Sequence, residues 1–199
     1  GAGNTDIGVF EGNGFIYTNS IPLGGDNITN DIALVLNISE EEADKLKRQY
    51  GLALKSFIDN DNDIILNTCK DQNKNRIIKS SELIEIIEAR IEEMFSIINK
   101  DITNNGIKHK INNVVLTGQG IININKSDVA GKINLNIPVK ISTGRAINTV
   151  KPTYRTSYAL VRYIAARPFA KTVSSSIDTQ NNENFLKTII EKIKEFFYT

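Results

Sequence analysis

The chain has 199 residues, 40% of them apolar and 24% charged, with a net charge of +1. That is the make-up of an ordinary globular protein with enough chain for one domain or two small lobes sharing a core. The near-balance of charge excludes nucleic-acid binding through bulk positive potential, and no apolar run is long enough to span a bilayer. The single Cys69 excludes an internal disulfide and fits a reducing cytosol, and the single His109 excludes His-rich metal sites and argues against a Ser-His-Asp triad. The high Asn, Ile and Lys content reads as genome bias.

The elements follow in chain order. Asp6–Phe10 and Phe15–Ile21 alternate apolar and polar residues around Glu11-Gly-Asn-Gly14, which predicts a β-hairpin. Ile28, Ile32, Val35 and Leu36 have helical spacing over Asp26–Leu36, directly after Gly24-Gly25. Ser39 with Glu42 reads as a capping box for a second helix that ends at Gly51, a favourable C′ residue. Leu52–Ile58, Asp63–Asn67 and Arg76–Ile78 read as short strands between Asn/Asp turns. A long helix capped by Ser80 or Ser81 follows, with Leu83, Ile86, Ile87, Ile91, Met94, Phe95 and Ile98 on one face. Val114–Leu116 reads as a buried strand running into Gly118-Gln-Gly120, and Ile137–Ser142 as another strand. "TYRTSYALVRYIAA" predicts a helix, Asp178–Asn184 a polar linker, and the last fifteen residues a separate amphipathic segment.

Four features stand in order: the opening "GAGNTDIGVF", "LGGDNITNDIA", the helix "EEADKLKRQYG" and the strand-turn "VVLTGQG". Taken singly, each has an ordinary reading. Most Gly-rich turns bind nothing, Asp44 and Lys47 suit a solvated helical pair, and Gly118-Gln-Gly120 suits a strand-ending turn. Taken together they resemble the second lobe of the actin-like ATPase superfamily. Within it, "IPLGGDNITNDIA", "IEARIEEMFSIINKDI" and "NVVLTGQG" are most similar to the FtsA family of bacterial cell-division actins. The resemblance covers nearly the whole chain and is poorest between Lys55 and Lys79. Gln119, Asp44 and Asn4 depart from the family pattern, which usually has Gly, Glu, and Thr or Gly there. The opening residue is not Met, and the phosphate-loop pattern is already under way at Gly1. The chain is therefore expected to be a segment of a longer protein whose first lobe lies upstream.

The resemblance implies an α/β fold: a mixed sheet flanked by helices, with an inserted smaller α+β subdomain. Residues 1–33 and 96–170 would form the larger subdomain, 34–95 the insertion, 171–184 a linker and 185–199 a C-terminal amphipathic helix. The implied ligand is ATP with Mg. Gly3, Asn4 and Thr5 would face the phosphates through backbone N–H groups and the Thr5 hydroxyl, and Asp6 would help order the turn or a metal-bound water. Gly24 and Gly25 would allow close approach at a helix N-terminus. Asp44 would accept from ribose hydroxyls, Lys47 would lie along the adenine, and Gly118 and Gly120 would leave room for the nucleoside. No catalytic residue and no protein metal ligand is assigned. ATPase activity is left open, and the segment by itself is expected to be inactive.

The tail "NFLKTIIEKIKEFFYT" puts Phe185, Leu186, Ile189, Ile190, Ile193, Phe196 and Phe197 on one helical face, with Lys and Glu opposite. Such a helix either packs on its own domain or lies on a membrane surface. The polar tether and terminal position favour the membrane. The resemblance implies a cytoplasmic protein held peripherally on the inner face of the cell membrane. It would self-associate into filaments and recruit an FtsZ-like division tubulin, whose peptide would meet Lys45, Arg48 and Arg90 on the smaller lobe. The alternatives are a small-molecule kinase, which would have little use for such a tail, and an actin-like pilus-assembly protein.

Overall fold

A computed structural model describes residues 1–12, 14–66, 76–142 and 154–165. Residues Gly1–Thr143 make one compact unit and Gly144–Thr199 a second. In the second, the described part is a helix, Arg155–Ala165 (α6), as its apolar periodicity predicts. The linker 171–184, the tail residues Phe185–Phe197 and Cys69 lie outside the described residues.

The first unit opens with the expected hairpin. Strand β1 (Thr5–Glu11) pairs antiparallel with β2 (Gly14–Ile21), from Thr5 opposite Ile21 to Glu11 opposite Gly14, with a bulge at Val9/Phe10. Gly12 has φ +60°, the left-handed conformation that a two-residue hairpin loop requires. Helix α1 (Gly25–Leu36) buries Ile28, Ile32 and Leu36 and stops at Asn37, whose left-handed φ of 52° returns its N–H to Ala33 and Leu34. Helix α2 (Glu40–Tyr50) starts as expected, with Ser39 Oγ accepting from the Glu42 N–H and three glutamates in the first turn complementing the helix dipole.

Strands β3 (Asp63–Leu66) and β4 (Arg76–Lys79) pair antiparallel, with Ile64 and Ile78 turned inward and Ile65 and Ile77 outward. The long helix α3 (Ser80–Asn104) is the spine of the unit. Its Leu83, Ile87, Ile91 and Phe95 are buried together with Ile32 and Leu36 of α1. Each such side chain contributes about 1.5–3 kcal/mol by leaving water. Strand β5 (Val114–Leu116), the short α4 (Gln119–Ile122), α5 (Ser127–Leu135) and β6 (Val139–Ile141) complete the unit, with β5 and β6 parallel. The class is α/β with mixed pairing, divided, among the described residues, into three two-stranded sheets. Across a cleft of about 630 Å³, β1 faces β5, and Phe95, Ile98 and Ile102 of α3 line the cleft.

Four local expectations are corrected. Leu52–Ile58 is not a strand: Leu52 makes a lone bridge to Asn125, and Lys55–Phe57 forms a 3-10 turn. The reason is that the Ala53 N–H goes to the Asn125 carbonyl and the Lys55 N–H to the Glu88 carboxylate. Gly51 ends α2 with φ −57°, so its value is not a left-handed turn. A Cβ there would collide with the Lys47 carbonyl. Neither Ser80 nor Ser81 caps α3. Lys79 is the N-cap residue, and Asp61 accepts from Ser81 N–H and from both serine hydroxyls, closing the helix start from a distant loop. Finally, β5 is not a buried strand: Val115 is 57% exposed, while Val114 and Leu116 on the opposite face are half-buried.

Candidate functional site: a convergence of glycine turns

The opening segment, the Gly24-Gly25 turn and the turn after β5 meet at one point. The Gly25 N–H donates to the Gly1 carbonyl at 3.0 Å and the Asp26 N–H to the Ala2 carbonyl at 2.9 Å. The backbones are so close that a Cβ on Gly24 would strike the Ala2 carbonyl, and one on Gly120 the Gly1 carbonyl. Gly118 has φ +96°, a conformation few side chains tolerate, and it starts α4. Together these turns bound a recess of about 120 Å³ lined by Gly1, Thr5, Asp6, Gly24, Gly25 and Gly120, with Met94 and Phe95 on its apolar side. Ligand pockets for drug-sized molecules run to roughly 300–1,000 Å³. This recess therefore has room for a phosphate-sized group but not for a whole nucleotide.

The amides at the start of α1 and the Thr5 hydroxyl have partners within the chain. At the start of α1, the Gly24 N–H reaches Asn27 Oδ1 at 2.7 Å, and the next three amides bind the Gly1, Ala2 and Gly24 carbonyls. The Thr5 hydroxyl donates to the Leu23 carbonyl at 2.7 Å and keeps lone pairs to accept with. Asp6 accepts from the Ser20 hydroxyl across the hairpin at 2.7 Å. Gly3 and Asn4 are exposed, and nothing stands within 4 Å of a Cβ built on Gly3.

Helix α2 reaches this point through one side chain. Lys47 is buried, at 9% exposure, and its ammonium donates to the Gly25 carbonyl at 3.0 Å and to Thr29 Oγ1 at 2.5 Å, with Asp44 Oδ1 at 2.9 Å. Arg48 holds the other Asp44 oxygen at 2.6 Å. Partial burial by itself would raise the Asp44 pKa, but hydrogen bonds from Lys47 and Arg48, aided by their charges, outweigh it and hold the carboxyl below its usual range. Asp44 is thus an ionised acceptor beside the Gly24-Gly25 turn. Sequence spacing had put Asp44 and Lys47 on one helix face; it did not reveal Thr29, four residues into α1, as the receiver of Lys47.

Each of the three cations assigned to a partner is paired with a carboxylate of the chain. Lys45 is exposed and pairs with Glu41 at 3.2 Å, whereas Arg48 belongs to the Asp44 group. Arg90, on α3, grips both Asp31 oxygens and also pairs with Glu93, beside a groove of about 580 Å³ between α1 and α3. Among the described residues no group of three or more His, Cys, Asp and Glu side chains is placed to hold a metal ion, and no helix is long and apolar enough to cross a membrane.

The chain is 32% identical over 163 residues to the cell division protein FtsA of Bacillus subtilis (strain 168), spanning 82% of this chain and 37% of that protein. It is 32% identical over 216 residues to FtsA of Buchnera aphidicola, spanning 98% of this chain and 49% of the relative. The chain thus spans half or less of the length of these relatives. In fold it is similar to MreB5 of Spiroplasma citri bound to AMPPNP, with a TM-score of 0.63 at 16% identity over 88% of this chain and 53% of that one. It is also similar to the ethanolamine utilization protein EutJ of Carboxydothermus hydrogenoformans, with a TM-score of 0.51 at 18% identity over 71% and 41% of the two chains. These neighbours identify the actin-like ATPase fold. A family model described as cell division protein FtsA matches residues 1–159, and the chain belongs to the FtsA family of actin-like cell-division proteins.

Proposed function

We propose that this chain is the nucleotide-cupping lobe of an ATP-binding division scaffold, which tethers an FtsZ-like division tubulin to the inner face of the membrane. The observation that carries the nucleotide part is the meeting of three glycine turns, from residues 1–5, 24–25 and 118–120, with a buried lysine from a fourth segment. Side chains are absent where backbones must crowd together, as in loops that surround an anion. The recess suits a phosphate group. Gly3 and Asn4, exposed beside it, and the Thr5 hydroxyl would supply contacts to ATP, Asp44 would accept from ribose, and Gly118 would leave the nucleoside unobstructed. MreB5, the structural neighbour, has been seen bound to AMPPNP and to ADP, which supports a nucleotide as the ligand. Mg would accompany the phosphates and neutralise their charge, with Asp6 the nearest carboxylate in the recess lining.

Residues 1–33 with 96–170 would be the larger subdomain and 34–95 the smaller one. The division-tubulin peptide would dock on the smaller subdomain. Lys45 and Arg48 are the cations best able to receive it, since exposed ion pairs are worth only about 0–1 kcal/mol and exchange partners readily. Arg90 is held more firmly by Asp31, both being about one-fifth exposed (23% and 21%). For the tail 185–199, the support is the amphipathic periodicity of its sequence. Membership of a cell-division family favours the scaffold over the kinase and pilus readings.

The test is calorimetric titration of Mg-ATP into the full-length polypeptide and its Gly118→Val variant, together with vesicle co-sedimentation. Loss of nucleotide binding in the variant and binding of the unmodified protein to vesicles are expected. Unchanged ATP affinity would remove these turns from a nucleotide site.

A further inference from the structure

Thr29 has no role in the readings above, yet it is 8% exposed inside the candidate site, and its hydroxyl is used twice. It donates to the Gly25 carbonyl at 3.2 Å and accepts from the Lys47 ammonium at 2.5 Å. Lys47 in turn donates to the same Gly25 carbonyl at 3.0 Å. The three polar atoms form a closed triangle, with Asp44 at the outer corner of the ammonium. We propose that Thr29 is a positioning residue of the nucleotide site: its hydroxyl fixes the Lys47 ammonium between the Gly24-Gly25 turn and Asp44. The inference rests on the nucleotide reading of the site.

The physical reasoning starts from the lysine. An ammonium has three N–H donors on a flexible four-carbon stem, and buried it must find three acceptors. Here the acceptors are Gly25 O, Thr29 Oγ1 and Asp44 Oδ1, so its position is fully determined. Two of the three come from α1 and one from α2. The triangle therefore ties α2, which carries the ribose acceptor Asp44, to the turn whose glycines bound the phosphate-sized recess. The fixed cation offsets the Asp44 carboxylate, which otherwise would repel an anionic ligand close by. Without the Thr29 hydroxyl, Lys47 keeps two acceptors but gains rotamers, and the distance between its charge and the turn is no longer set.

The experiment is a double-substitution cycle on the full-length polypeptide, with fluorescent Mg-ATP as probe and melting temperature as a control. Thr29→Val, which keeps shape and removes the hydroxyl, is expected to weaken binding about three- to ten-fold. Thr29→Ser is expected to restore binding to within about two-fold of the unmodified protein, since it keeps the hydroxyl. Lys47→Met is expected to weaken binding further, and Thr29→Val is expected to add nothing in that background, because Thr29 acts through Lys47. Weakening by Thr29→Val that persists undiminished with Lys47→Met, alongside a matching fall in melting temperature, would show a merely structural threonine and overturn the proposal. So would a silent Thr29→Val when Lys47→Met and Gly118→Val both weaken binding, a result that leaves the nucleotide site standing. If none of the variants changed ATP affinity, the nucleotide reading itself would fall, and the proposal with it.

Discussion

Gly24→Ala adds one methyl group, and its consequences can be worked from the structure. Gly24 is in extended backbone, φ −156° and ψ −161°, which alanine adopts without strain. The obstacle is what surrounds it: a Cβ would overlap the carbonyls of Ala2 and Gly1, which are backbone atoms and cannot swing aside like a flexible side chain. Those carbonyls accept from Asp26 and Gly25, so the opening segment must lift off α1 and both bonds must lengthen or break. At about 0.5–1.5 kcal/mol each, the two bonds put the loss near 1–3 kcal/mol. For a unit of this size that is a fall in melting temperature of roughly 3–10 °C. Gly3→Ala is the matched control, because a Cβ there meets nothing within 4 Å. It should change stability by less than about 0.5 kcal/mol. The assay is thermal unfolding followed by circular dichroism on both variants. A Gly24→Ala melting temperature within a degree of the parent, or an equal loss from Gly3→Ala, would refute the reasoning that the glycines serve the docking of the opening segment.

Other outcomes follow from the same geometry. Phe95→Ala should cost about 3–5 kcal/mol in chemical denaturation, since the ring is 3% exposed and packs against Gly131. The Asp61 carboxyl is held below its usual range, first by the Ser81 N–H and then by the Ser81 and Ser80 hydroxyls, against some opposing desolvation. Because its folded pKa is depressed, its contribution is complete above the unfolded value of about 3.9 and is lost as pH falls through the folded one. Denaturation midpoints of the parent and Asp61→Asn should therefore differ at pH 7 and draw together in acid. Arg90→Glu should destabilise the unit by leaving Asp31 facing a like charge, whereas Lys45→Glu should leave the melting temperature unchanged, so Lys45→Glu is the cleaner test of a peptide contact. In the tail, Ile190→Glu should abolish vesicle co-sedimentation while Lys192→Ala weakens it less, since a charge on the apolar face costs a few kcal/mol when inserted.

Local sequence was enough to determine the elements whose information is local. Alternation on either side of Glu11–Gly14 specified the hairpin, Ser39 with its acidic first turn specified where α2 starts, and the 3.6-residue period of Leu83, Ile87, Ile91 and Phe95 specified the face that α3 buries. The order of the four glycine and helix motifs was likewise legible, and it pointed to the family that comparison shows. What only the tertiary structure decided depends on partners distant in the chain. Leu52–Ile58 has strand-like residues, but Asn125 and Glu88 claim its amides. The carboxylate that closes the start of α3 is Asp61, nineteen or twenty residues before the serines it binds. Nothing in the spacing of Asp44 and Lys47 says that the lysine turns inward, because that depends on α1 presenting Gly25 and Thr29 beside it. Hydrophobic periodicity records which face of an element is buried; which polar groups meet there is set only when distant segments pack, because a buried donor must take whatever acceptor the fold brings within reach.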